Sequence, residues 1–234
     1  MNRVLRVARI HLTSWRGAFG WPLSILAISF TVNLAFFASM GDNLPDQPGA
    51  HVTGGVVSIY VVQLIAAWQS MNQAFSFAVG LNVTRRTFYA GTLLVLAALS
   101  LVFGLVLYLL ELVEHATGGW GIQLPFFDMV PATHGNSPLH VLVYAVPMFM
   151  LSCLGVFLGT ITKRWGVNGF FAFTVLGLVG LGLVAILLSW LDRWPTIGHW
   201  LAGQSGLALL TGWILIPAVL LAGGGYGLLR RAIP

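Results

Sequence analysis

Charge is nearly missing from this chain. Only 7% of its 234 residues are Asp, Glu, Lys or Arg, against about 25% in a soluble domain. So few charges cannot cover a surface that faces water, and a soluble globular protein is excluded. Cysteine is scarce too. Cys153 stands alone, which rules out an intrachain disulfide and a Cys-based metal site. Lys163 is the one lysine. No glycine-rich loop precedes it, so the phosphate-cradling P-loop is absent and this chain is not expected to hydrolyse ATP. No charged residue lies in mid-span of an apolar run, which leaves a proton- or ion-coupled relay nothing to run on. The N-terminus shows no cleavable signal pattern, since its basic residues spread over the first sixteen positions.

What fills the chain instead is apolar. Hydrophobic residues make up 58% of it and the mean hydropathy is +0.89. The expected fold is all-α: a polytopic membrane protein of six transmembrane helices preceded by an interfacial amphipathic helix. The interfacial helix is about 1–20, where Val4, Leu5, Ala8, Leu12 and Trp15 share a face and Arg3, Arg6, Arg9 and Arg16 fall mostly elsewhere. Six apolar stretches follow, at about 21–40, 54–80, 88–112, 139–161, 168–191 and 205–229. Each is near the roughly 20 residues that a spanning helix needs. Ser137 reads as the N-cap of the fourth, with Pro138 at its first position. Small-residue pairs four apart, Gly155 with Gly159 and Gly223 with Gly227, point to close helix approach.

The charges test this division. Arg3, Arg6, Arg9, Arg16, Arg85, Arg86, Lys163, Arg164, Arg230 and Arg231 all fall on one side of the six spans, leaving only Arg193 opposite. The six acids, Asp42, Asp46, Glu111, Glu114, Asp128 and Asp192, fall at or beyond the other ends. Short loops rich in Lys and Arg stay in the cytoplasm. The expected placement is therefore a multi-pass protein of the cell membrane with both termini cytoplasmic. The net charge of +5 reports topology, and no nucleic-acid partner is expected.

Polar chemistry inside the spans concentrates in the second. Gln63 is followed by Gln69, Asn72, Gln73 and Ser76, the last four at i, i+3, i+4 and i+7 on one stripe. Amides in lipid demand partners across a helix interface or a watery cavity. The stripe is thus either interhelical glue or the lining of a substrate path. The scattered external histidines His51, His115, His134, His140 and His199, with Glu111 and Glu114, lack a tight metal-ligand spacing, so no metal is expected. Gly203-Gln-Ser-Gly206 matches the nucleophile motif of rhomboid intramembrane proteases. No histidine follows Ser205 to act as its base, and chance accounts for the match.

The chain turns on the stretch Phe77-Ala-Val-Gly-Leu-Asn-Val-Thr-Arg-Arg-Thr-Phe-Tyr-Ala-Gly91 between the second and third spans. Together with the basic N-terminal helix, the six spans, the Arg164-Trp165-Gly166 turn and the Leu-Leu-Arg-Arg-Ala ending at 228–232, it resembles the permease subunit of type-2 ABC exporters. That resemblance implies a single transmembrane permease domain over 1–234, a half-transporter. Two permeases, identical or related, would pair with two copies of an ABC ATPase, their second and fifth spans along the seam. ATP and magnesium would be bound by the ATPase, with no cofactor in this chain. The substrate would be amphiphilic, peptide or drug-like. Asn82, Thr84, Arg85, Arg86 and Phe88 would form the ATPase-coupling loop, and Gln63, Gln69, Asn72, Gln73 and Ser76 the candidate path. A different class stays open: a non-transporting membrane anchor or immunity-type protein that binds a hydrophobic ligand.

Overall fold

The computed structural model describes residues 19–40, 54–80, 83–128 and 138–230. Residues 1–18 of the expected interfacial helix, the loop 41–53, Asn82, Ser137 and the ending after Arg230 lie outside the described residues, as does the side chain of Ser76. All regular structure among the described residues is helical. In chain order its α-helices are α1 (Trp21–Met40), α2 (Val57–Gly80), α3 (Arg85–Ala116), α4 (Val141–Trp190), α5 (Trp194–Ala202) and α6 (Ile214–Arg230), with short helical turns at Gly119–Gln123 and Pro138–His140 between α3 and α4. A one-turn π-helix, Ala208–Trp213, leads into α6. Pro217, whose ring nitrogen cannot donate, lies one turn further on.

Among the described residues, four stretches are long and apolar enough to cross a membrane: Trp21–Met40, Arg85–Ala116, Val141–Trp190 and Ala208–Arg230. They make the chain compatible with a membrane location. α2 has the length, at 24 residues, but Gln63, Gln69, Asn72 and Gln73 dilute its hydropathy.

α4 is 50 residues long, which as a straight rod would measure about 75 Å. It is no rod. Gly166 has φ 70 and ψ −168, outside the helical region, a conformation that a Cβ would strain. The Phe157 and Phe173 rings, sixteen positions apart, have centroids 5.5 Å from each other, whereas a straight helix would separate them by about 24 Å. The chain therefore reverses at Gly166, and limb 167–190 runs back along limb 141–165. The gap expected between the spans ending at 161 and starting at 168, with its Arg164-Trp165-Gly166 turn, is thus helix up to Trp165, with the break confined to Gly166.

The first limb of α4 is the hub on which α2, α3 and α6 pack. Glycine sets the distance at each contact. A Cβ on Gly155 would run into the Leu64 carbonyl oxygen of α2, and one on Gly159 would lie 2.6 Å from the Met71 Cβ. Gly104 does the same for α3 against Ala145. In α6 the expected pair does not make the contact: space is open beside Gly223 and Gly227, while Gly224 meets Phe157 and Gly225 meets Tyr89. Around this scaffold lie two buried clusters. One joins Ile59, Tyr60, Phe103, Leu107, Phe126, Phe127 and Tyr144; the other joins Met71, Phe75, Phe88, Tyr89, Val156 and Leu229. In lipid such packing gains mainly dispersion energy and close fit, since the surroundings are as apolar as the core. Limb 167–190 contributes little to either cluster and is exposed almost throughout, with Leu176 at 71% and Leu181 at 70%.

Candidate functional site

The turn after α2 is built by a cap. Thr84 takes an extended conformation, and its Oγ1 accepts from the Thr87 backbone N–H at 3.3 Å. Helix α3 then begins at Arg85, so both arginines sit in its first turn and not in a loop. Cations there oppose the helix dipole, which favours negative charge at the N-terminus. The compensation comes from another helix. Arg85 Nη1 donates to the carbonyls of Leu229 at 3.4 Å and Arg230 at 3.3 Å, at the C-terminal end of α6. Arg86 is exposed. Phe88 is buried against Phe75, with ring centroids 5.7 Å apart. Of the five residues expected in a coupling loop, the described ones divide: Arg86 and Thr84 face outward, while Arg85 and Phe88 are engaged within the fold.

The amides of α2 also divide. Gln63 is buried, and its Nε2 has no hydrogen-bond partner among the described residues. Gln69 and Gln73 are exposed on the outer side of the helix. Asn72 is half-buried and donates to the Trp68 carbonyl of its own helix at 3.1 Å. Trp68 in turn donates through Nε1 to Thr162 Oγ1 of α4 at 3.2 Å. The glue between α2 and α4 at this level is therefore Trp68, which the amide pattern did not single out.

At the opposite end of α3 a carboxylate organises the loop. Glu114 is buried, and its Oε2 accepts from Trp120 Nε1 and from the backbone N–H groups of Phe126 and Phe127, each at 2.9 Å. Its Oε1 accepts from the Asp128 N–H at 3.2 Å. This holds a run of left-handed residues, including Trp120 at φ 61, a conformation that costs a non-glycine residue about 1–2 kcal/mol. Beside it, the buried Glu111 places Oε1 3.4 Å from His140 Nε2 and 3.8 Å from His115 Nε2. A cleft of about 270 Å³ is lined by Glu114, His115, Gly118, Gly119, Pro125 and Asp128. Among the described residues no group of three His, Cys, Asp or Glu is arranged to hold a metal. Glu111, Glu114, His115 and His140 stood out in the sequence only as scattered polar residues, and nothing in their spacing showed that Glu114 would gather the backbone of 126–128.

Ser205, the residue in the protease-like motif, has a structural use: its Oγ accepts from the Ala208 N–H at 3.2 Å, capping the π-helical turn before α6. No family model, no curated protein and no solved structure matches this chain.

Proposed function

We propose that this chain is the membrane-spanning permease subunit of an ATP-driven type-2 ABC exporter, moving an amphiphilic, peptide or drug-like substrate. The observation that carries the reading is the capped turn at 83–88, which projects Arg86 outward beside the end of α6. Its position between two apolar helices, among the basic residues of one side, suits a turn that meets a separate ATPase. In this reading α1, α2, α3, the two limbs of α4 and 208–230 make six crossings, with both termini cytoplasmic. Each limb of α4 is close to the roughly 20 residues that a crossing needs. Two such chains pair with two ATPase subunits, which bind ATP and magnesium. Gln69 and Gln73 on the outer side of α2 favour a polar path formed with the second copy.

Topology is the first check. With Cys153 replaced by serine, a cysteine at Gly121 is expected to react with a membrane-impermeant maleimide in intact cells, and one at Thr84 only after lysis. Labelling of Thr84 in intact cells would refute the six-crossing arrangement. Function is the second. The chain isolated from its own cells in a mild detergent is expected to carry an ATP-hydrolysing subunit, and substrate to stimulate that hydrolysis. Arg86→Lys keeps the charge but loses the planar donor fork. It is expected to lower stimulated hydrolysis at least tenfold while leaving the inserted chain in normal amount. A wild-type preparation without ATP hydrolysis rejects the exporter.

A further inference from the structure

Helix α6 contains the run Ala222-Gly223-Gly224-Gly225-Tyr226. Glycine in a helix interior costs about 1 kcal/mol relative to alanine, so three in succession make this the softest part of the helix. Two contacts from α3 bracket the run. On one side the Tyr89 hydroxyl donates to the Ala222 carbonyl at 2.7 Å. On the other, Arg85 donates to the Leu229 and Arg230 carbonyls. Between them the missing side chain of Gly225 makes room for the Tyr89 hydroxyl, which would lie 2.5 Å from a Cβ there. Tyr89 also lies against Tyr226 with ring centroids 5.7 Å apart, and the Arg230 guanidinium sits over the Tyr226 ring at 5.9 Å.

Arg85 and Tyr89 are one helical turn apart, at i and i+4, so they share a face of α3. Both sit within five residues of the Thr84 cap. A displacement of the capped turn carries both side chains with it, one pulling before the glycine run and one after. Leu229 is fully buried, which keeps the far end of α6 from swinging free.

From this we infer that Arg85 and Tyr89 are positioning residues that fasten α6 across a glycine hinge, so that movement of the 83–88 turn bends α6 at Gly223–Gly225. The inference rests on the exporter reading for its purpose, but the fastening itself is a property of this chain alone. Arg85 thereby acts inward, on α6, and Arg86 outward.

The test uses the full chain in lipid nanodiscs, with amide hydrogen exchange over 218–230 as the readout. Tyr89→Phe removes only the hydroxyl, and Arg85→Gln removes the charge. Each is expected to speed exchange in that stretch about fivefold, the worth of one hydrogen bond. Exchange in α1 should stay as in the wild type. Arg85→Lys is expected to retain most of the protection, because an ammonium also donates to carbonyls at a helix C-terminus. Unchanged exchange in both Tyr89→Phe and Arg85→Gln overturns the fastening.

Gly223→Ala then separates a hinge from mere packing. Space beside Gly223 is open, so the alanine stiffens α6 without a clash. It is expected to restore protection to Tyr89→Phe while lowering substrate-stimulated ATP hydrolysis of the purified complex at least threefold, with the unstimulated rate retained. Full stimulation in Gly223→Ala overturns the hinge. Absence of any ATP hydrolysis from the wild-type complex is a different result: it rejects the exporter reading and the coupling purpose with it, while the exchange data still judge the fastening.

Discussion

Glu114→Ala is expected to unfold the segment 119–128 and to lower the stability of the whole chain by about 1–3 kcal/mol, the usual cost of leaving a buried donor without its acceptor. Four donors converge on this one carboxylate: the Trp120 indole and the backbone N–H groups of Phe126, Phe127 and Asp128. Hydrogen bonds to a charged group are worth about 1.5–3 kcal/mol each, but they share one acceptor and do not add. The loss reaches further than the loop. Phe126 and Phe127 pack on Phe30 of α1, with ring centroids at 5.2 Å and 5.5 Å, so freeing them loosens α1 as well. Thermal unfolding in nanodiscs and amide exchange over 119–128 read both effects. Glu114→Gln, which keeps one accepting oxygen, is expected to fall between wild type and alanine. A wild-type midpoint in Glu114→Ala would show that the loop is held by its aromatic contacts alone.

Gly155→Ala is expected to push α2 away from α4 and to cost about 1–3 kcal/mol, the usual range for overpacking a close-fitting site. The obstacle is backbone. An added Cβ meets the Leu64 carbonyl oxygen, with the Ala67 Cβ at 3.0 Å and the Trp68 nitrogen at 3.1 Å behind it. No rotamer change relieves that, so the helices must part, and the Trp68 bond to Thr162 stretches with them. Gly177→Ala, in the second limb of the same helix, supplies the control, since nothing lies within 4 Å of its position. Both variants change a single methyl group in a helical glycine of α4. A drop in thermal midpoint for Gly155→Ala with none for Gly177→Ala is the expected pair. Equal midpoints would mean that the α2–α4 contact is soft enough to absorb a methyl group.

Helix positions were legible because apolar runs of spanning length are a local property of the chain. α1 occupies Trp21–Met40, the interval read from composition, and α2 and α3 differ from their expected spans by at most a few residues at each end. The expected spans 139–161 and 168–191, by contrast, are one broken helix, α4, and α6 starts only at Ile214, after the π-helical turn. Those differences have local causes: α3 starts three residues early because Thr84 caps it there, and 162–165 stays helical because nothing but Gly166 breaks it. The site was less legible. Arg85 and Arg86 are neighbours with the same charge, and Gln63 and Gln69 carry the same amide. Nothing in the residue types says which of each pair points inward.

The sequence by itself determined an all-helical, charge-poor chain with several helices fit for a membrane, and it placed the glycines where helices meet in α4. Local hydropathy and backbone propensity suffice for that. Only the tertiary structure decided that Arg85 caps α6 while Arg86 is exposed, that Gln63 is buried while Gln69 and Gln73 are not, and that Glu114 anchors a loop 12 to 14 positions away. Each of these depends on which faces of separate helices come together. That is set by the fit of Gly155, Gly159 and Gly225 against specific neighbours, a long-range match that no single segment encodes.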